Sequence, residues 1–152
     1  MSTVPDSNPM KLIGQVSRTF SRLVDTPLRE LGLSVGQLPV LVTLKNVGAI
    51  SQGELARIAR VEQPSMAQLL SRMERDELVQ RVLDPADGRS RLISLSAQAT
   101  RQLPKAKRVM DQTCSQALDG LSADEQALLH ELLLKVDANL NRALEQMQKG
   151  SK

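Results

Sequence analysis

The chain of 152 residues suits a single domain and is long enough to bury a real core. Hydrophobic residues make up 41% of it but aromatics only 1%, Phe20 alone, so Leu, Val, Ile, Met and Ala must build the core, which suits packed helices better than a large β-sandwich. A single cysteine, Cys114, excludes an intrachain disulfide, and a single histidine, His130, argues against a zinc site built by this chain alone. The formal charge of +3 permits a polyanionic partner without establishing one. No leader-like segment opens the chain and no stretch of apolar residues is long enough to span a bilayer, so a soluble, cytoplasmic protein with no membrane partner is expected.

Residues 1–8 and 149–152 are polar and are expected to be flexible termini. Asn8-Pro9 reads as an N-cap followed by a first-turn proline. Beyond it Ile13, Val16, Phe20, Leu23, Val24, Leu28 and Leu31 recur at helical spacing up to a stop at Gly32. Pro27 falls inside that pattern and predicts a bend or an early end. Ser34 opens a second helix with Leu38, Leu41, Leu44 and Val47 inward, closed by Gly48, and Pro39 is tolerated near its start. Ser51 and Glu54 form a capping-box pattern ahead of a short helix with Leu55, Ile58 and Ala59 on one side.

After a turn at Arg60-Val61-Glu62, Gln63-Pro64 starts the next helix, which runs to about Asp76. Met66, Leu69, Leu70 and Met73 share its apolar face, leaving Ser65, Gln68, Arg72 and Arg75 on the polar one. Leu78 to Leu83 has strand composition, residues 84–88 carry turn chemistry, and Arg91 to Leu95 is a second strand. The connection is longer than a two-residue turn, so the hairpin should project. From Ala97 to about Asp119 a helix is predicted with Leu103, Met110, Cys114 and Leu118 inward and a kink at Pro104. Gly120 stops it. Ser122 and Glu125 cap a last helix whose Leu128, Leu129, Leu132, Leu133, Val136, Leu140, Leu144 and Met147 make one apolar stripe. A helix that apolar on one side calls for a partner.

The order helix, turn, helix, hairpin is what a protein needs to lay one helix in a DNA groove and reach a neighbouring groove with a wing. Net charge does not support the idea by itself, since residues 51–96 hold seven Arg, no Lys and seven acids. Placement does. Ser65 and Gln68 are short or forked polar groups near the start of a helix, and Gln can bond an adenine edge in two places. Arg72 and Arg75, one and two turns further on, suit phosphates or a guanine. The same face also fits an ordinary solvated helix surface. In the hairpin, Asp87-Gly88-Arg89 sets an acid two residues before an arginine at the tip, with Arg91 close behind. A guanidinium held there suits a narrow A·T-rich minor groove, and Asp87 can hold its orientation; a plain turn would use the same residues.

These residues carry a family resemblance. Gly32-Leu33-Ser34 ahead of Gln37 and Leu41, then Leu55-Ala56, Ser65, Leu69, Arg72, Met73-Glu74 and Leu78-Val79-Gln80-Arg81, and finally Asp87-Gly88-Arg89 before Leu92-Ile93-Ser94-Leu95-Ser96, resemble the MarR family of bacterial transcription regulators. The wing is the most specific part of the match. The resemblance implies a mainly α (α+β) fold with a winged helix-turn-helix over residues 34–96 and a helical dimerisation region over 9–31 and 97–148. It implies a homodimer that binds double-stranded DNA at a pseudo-palindromic operator, mostly as a repressor, and lets go when a small-molecule inducer or an oxidant acts. The helix from about Gln63 would read the major groove, with Gln63, Ser65, Gln68, Arg72 and Arg75 as contacts, and Asp87, Arg89 and Arg91 would serve the wing. Two positions depart from the family pattern. Glu77 stands where relatives usually have Gly, and the expectation is that Asp76 or Glu77 ends the helix differently here; Gly88 stands where many relatives have a basic residue.

For a sensor, Arg18 and Arg22 lie one turn apart on the first helix and suit an anionic ligand, or equally a solvated or salt-bridged surface. Cys114 reads as a small core residue rather than a reactive thiol. There is no Gly-rich phosphate loop, no metal cluster and no nucleophile–base pair that one His would complete, so neither an enzyme nor a cofactor is expected. The rival of a different class is a winged-helix module that binds another protein instead of DNA.

Overall fold

The computed structural model describes residues 8–151, so the expectations for residues 1–7 and 152 lie outside the described chain. The chain divides into two compact units that part between Thr113 and Cys114. The first holds α1 (Pro9–Glu30), a 3-10 turn (Val35–Gln37), α2 (Leu38–Val47), α3 (Gln52–Ala59), α4 (Gln63–Arg75), β1 (Val79–Leu83), β2 (Arg91–Leu95) and most of α5 (Ala97–Ala117). The second holds the end of α5 and α6 (Ala123–Gly150). α6 therefore continues through Lys149 and Gly150, past the expected boundary of the flexible tail.

Local signals set most helix starts. Asn8 Oδ1 accepts the Met10 N–H at 3.0 Å, Ser51 Oγ the Glu54 N–H at 3.2 Å and Ser122 Oγ the Glu125 N–H at 3.1 Å. The return half of the box at Ser51 gives way to an ion pair, because the Glu54 carboxylate takes Arg57 at 2.8 Å. α1 runs through Pro27 to Glu30 and does not end early. The carbonyl that the proline leaves without its N–H belongs to Leu23, a residue 59% exposed, on the side of the helix open to water. Pro104 is carried inside α5 in the same way.

Three helix ends share one geometry. The N–H of Leu33 reaches the Leu28 carbonyl, that of Val61 the Ala56 carbonyl and that of Leu78 the Met73 carbonyl, at 2.9, 3.0 and 2.9 Å. Each such six-residue closure needs a left-handed residue just before it. Gly32 supplies one at φ 75°, but Arg60 and Glu77 supply the others at φ 55° and 59°. The expectation that the α4 end would be rebuilt around Glu77 is thus overturned. Burial explains the outcome, since Met73 and Leu78, bonded across the turn, are both fully buried.

One apolar core holds the first unit together, drawing Val24 and Leu28 from α1, Leu41 and Leu44 from α2, Leu55 from α3, Met66, Leu70 and Met73 from α4, Ile93 from β2 and Leu103 from α5. Three positions expected inside are not. Val47, the last residue of α2, is 49% exposed and Val40 is buried in that helix instead; Ile58 is 40% exposed; Cys114 is exposed, with Thr113 the buried neighbour. In each case the buried stripe is rotated by about one residue or stops a turn short of the helix end. The strands pair antiparallel from Val79↔Leu95 to Leu83↔Arg91. Ile50 adds a bridge to Ile93, with N–H···O distances of 3.1 and 2.7 Å, which ties the α2–α3 junction to the hairpin.

Glu77→Gly should raise stability by about 1 kcal/mol in urea denaturation, because Gly adopts the left-handed conformation without the β-carbon clash. An unchanged or lower midpoint would show that Glu77 is not strained.

Candidate nucleic-acid interface

The outward face of α4 follows from its inward one. Met66, Leu70 and Met73 are fully buried and Leu69 packs beside them, so Ser65, Gln68, Arg72 and Arg75 stand exposed on the opposite side. From Ser65 to Arg75 the face is about 15 Å long at the helical rise per residue. Pro64 sits in the first turn of the helix, and Glu62 precedes Gln63 as an N-cap with no side-chain cap bond. Gln68 and Arg72 are in no ion pair or side-chain hydrogen bond among the described residues, and both are free to meet a ligand. Arg75 lies 3.7 Å from the Asp76 carboxylate, which offsets part of its charge. Gln63 behaves differently: its amide nitrogen lies over Gly53 in α3, where an added β-carbon would come within 3.2 Å. Gln63 therefore leans on the preceding helix while remaining exposed.

The hairpin presents a loop of residues 84–90. Asp84 Oδ1 accepts the Ala86 N–H at 2.8 Å, and the Asp84 N–H reaches the Ser90 carbonyl at 3.1 Å. Asp87 organises the tip, though not in the expected way. Its carboxylate accepts the Arg89 backbone N–H at 3.0 Å and the Ser90 hydroxyl at 3.2 Å, and leaves the Arg89 guanidinium alone. Asp87 therefore sets the backbone that carries Arg89 and does not hold the charge itself. Arg91 is exposed at the loop end of the ladder, opposite Leu83. One contact that the sequence reading did not foresee connects helix and wing: Arg81 Nε in β1 bonds Glu74 Oε1 in α4 at 2.7 Å. The seven-residue separation of that pair crosses a turn, so helical periodicity gives no hint of it.

Among the described residues, two clefts of the first unit matter for a ligand. One of about 530 Å³ lies between α2 and α5, with a mostly apolar lining that includes Leu38, Val42, Leu103 and Met110, joined by Lys45 and Lys107. The other, about 540 Å³, is more polar and is lined by Ser21, Arg22, Asp25, Ser34, Val35 and Gly36. Arg22 thus borders a cleft, whereas Arg18 lies over Gly14 of its own helix and lines neither. Among the described residues no three His, Cys, Asp or Glu side chains gather to hold a metal ion, and no helix is long and apolar enough to cross a membrane.

A capped short helix, a second helix with a buried apolar and an open polar face, and an arginine-tipped hairpin define a winged helix-turn-helix, the framework of a DNA-binding transcription regulator. Residues 31–90 match the profile of the MarR family. The chain is 32% identical to the transcriptional regulator PA3341, over 87% of this chain and 97% of that one, with a TM-score of 0.71. It is 26% identical to a mutant of MarR from E. coli solved in complex with operator DNA, over 83% and 91% of the two chains, with a TM-score of 0.75. It is 25% identical to the PcaV transcriptional regulator of Streptomyces coelicolor, solved with its natural ligand, over 87% and 93%, with a TM-score of 0.76. The chain belongs to the MarR family, whose members are transcription regulators and not enzymes.

Asp87→Ala removes both side-chain bonds of the wing tip. It should weaken DNA binding about tenfold in fluorescence anisotropy by letting the loop wander, with the melting temperature little changed because the loop is exposed. Wild-type affinity in that variant would show that the tip needs no such support.

Proposed function

We propose that this protein is a repressor that binds a pseudo-palindromic operator as a homodimer and is released by a small ligand. The observation that carries the reading is the pairing of an open polar face on α4 with a hairpin tip whose Arg89 has no acidic partner. Gln68 and Ser65 meet base edges in the major groove, with Arg72 and Arg75 at bases or phosphates and Gln63 beside them at the helix start. Arg89 enters the minor groove, where a narrow A·T-rich segment concentrates negative potential, and Arg91 meets the backbone nearby. Asp87 serves by shaping the loop.

Dimerisation is supported by the apolar surface that one chain leaves in water. α6 has no buried residue, yet Leu128, Leu132, Leu140 and Leu144 are each about half exposed, and α1 exposes Leu12, Val16 and Leu23 as well. A soluble regulator rarely leaves such stripes uncovered, and a second copy offers the same stripes in return. Two readers on a two-fold axis then sit about one DNA turn apart, roughly 34 Å.

The inducer's place is the cleft between α2 and α5. Apolar side chains there take a ring or alkyl body, and Lys45 in its lining suits an anionic group, Lys107 being held by Asp111; Arg22 in the neighbouring polar cleft, with Arg18 beyond it, is the second candidate for that charge. A ligand seated against α2 shifts the base on which α3 and α4 rest, and so detunes the spacing of the two readers. A repressor that works on DNA is a cytoplasmic protein.

Selection of duplexes from a random pool should return a palindrome, and Gln68→Ala combined with Arg89→Ala should abolish its retention while size-exclusion chromatography still reports a dimer. Retention of the selected duplex by that double variant would sink the reading, and recovery of a protein partner with no duplex would favour the interaction-module alternative.

A further inference from the structure

We infer that the outer face of α5 is a second DNA-contacting surface, a cationic stripe of Arg101, Lys105 and Arg108 that meets backbone phosphates outside the reach of α4 and the wing. The inference rests on the DNA-binding reading and extends it. Residues 51–96, which contain the whole reader, are neutral overall, and several of their arginines are already committed: Arg57 to Glu54, Arg75 to Asp76 and Arg81 to Glu74. DNA affinity, however, comes largely from neutralised phosphates. The excess positive charge has to sit elsewhere on the chain.

It sits on α5. Residues 97–110 contain Arg101, Lys105, Lys107 and Arg108 and no acid. The first acid to follow, Asp111, is occupied by Lys107 at 2.5 Å. Arg101, Lys105 and Arg108 are exposed, and among the described residues none is in an ion pair. Their spacing of four and three residues lines them up on one helix face, away from the buried Ala99, Leu103 and Ala106. Elsewhere the helices place an acid three or four residues from a cation, as in Asp25–Arg29, Glu54–Arg57 and Glu131–Lys135. On this stripe Arg101 and Lys105, and Lys105 and Arg108, are like charges at those spacings, while the one acid three residues from Arg108, Asp111, is held by Lys107; that repulsion along the helix is what a polyanion would relieve. The stripe spans about 10 Å by helical rise, a length over which one DNA strand presents about three phosphates. α5 also begins directly after β2, at Ser96, so it leaves from the base of the wing.

The test uses the full chain and a duplex selected by the wild-type protein, with affinity measured across a salt series. Arg101→Gln/Lys105→Gln/Arg108→Gln should flatten the dependence of log K on log salt by about 0.9 for each phosphate that is no longer neutralised, up to about three per chain. Its ranking of operator variants should stay unchanged, since phosphate contacts carry no sequence information. Arg101→Lys/Arg108→Lys should keep the wild-type slope. An unchanged slope in the glutamine variant, with the wild type binding normally, overturns the stripe and leaves the reader intact. Loss of the dimer in the glutamine variant also overturns it, by making the stripe an interface between copies. Absence of salt-dependent duplex binding in the wild type overturns the DNA reading itself, and the stripe with it.

Discussion

The burial of Met66, Leu70 and Met73 is the constraint on which the rest depends. Those three side chains are fully enclosed, so α4 cannot roll about its axis without dragging methionine and leucine into water, at roughly 2 kcal/mol or more for each. The direction of Ser65, Gln68 and Arg72 follows from that. A polar face aimed at a partner is therefore positioned by apolar groups that never touch it. The same core reaches Ile93 in β2 and Leu103 in α5, so helix, hairpin and the start of the long helix are set by one packing arrangement.

Around that core the links are few and specific. The Ile50–Ile93 bridge anchors the hairpin to the α2–α3 junction, and the Glu74–Arg81 ion pair joins the end of α4 to β1. The latter is about one-third exposed, so its direct contribution to stability is small, about 1 kcal/mol or less. Its effect is geometric: it resists a swing of the wing relative to the helix. Left-handed residues at Arg60 and Glu77 serve the same end by turning the chain sharply before and after α4. Strain at two non-glycine positions is tolerated because buried groups on either side over-determine the turn.

Charge in this molecule is a matter of place and not of sum. The reader is neutral, yet among the described residues Arg72, Arg89 and Arg91 are in no ion pair, while Arg57 and Arg81 are. At the wing tip the acid is present but turned to the backbone, which frees the guanidinium for a partner. A count of Arg and Lys over the segment misses this, because the count cannot distinguish a cation held by a carboxylate from one held by nothing.

Much of the fold is legible in the chain because the signals are local. Ser51 and Ser122 cap helices through a hydrogen bond three residues on, and the spacing of Met66, Leu70 and Met73 selects a face whatever lies beyond it. The outward Ser65, Gln68, Arg72 and the hairpin with Arg89 at its tip followed from that spacing and from the turn chemistry. The sequence by itself thus determined the order of elements, the family pattern and which residues face out from α4. Only the tertiary structure decided that Val47, Ile58 and Cys114 are exposed, that Glu77 is left-handed, that Asp87 bonds a backbone N–H and that Glu74 finds Arg81. Each of those depends on a partner across a turn or on how a helix end meets the core, and no periodicity in the chain records where such partners will be.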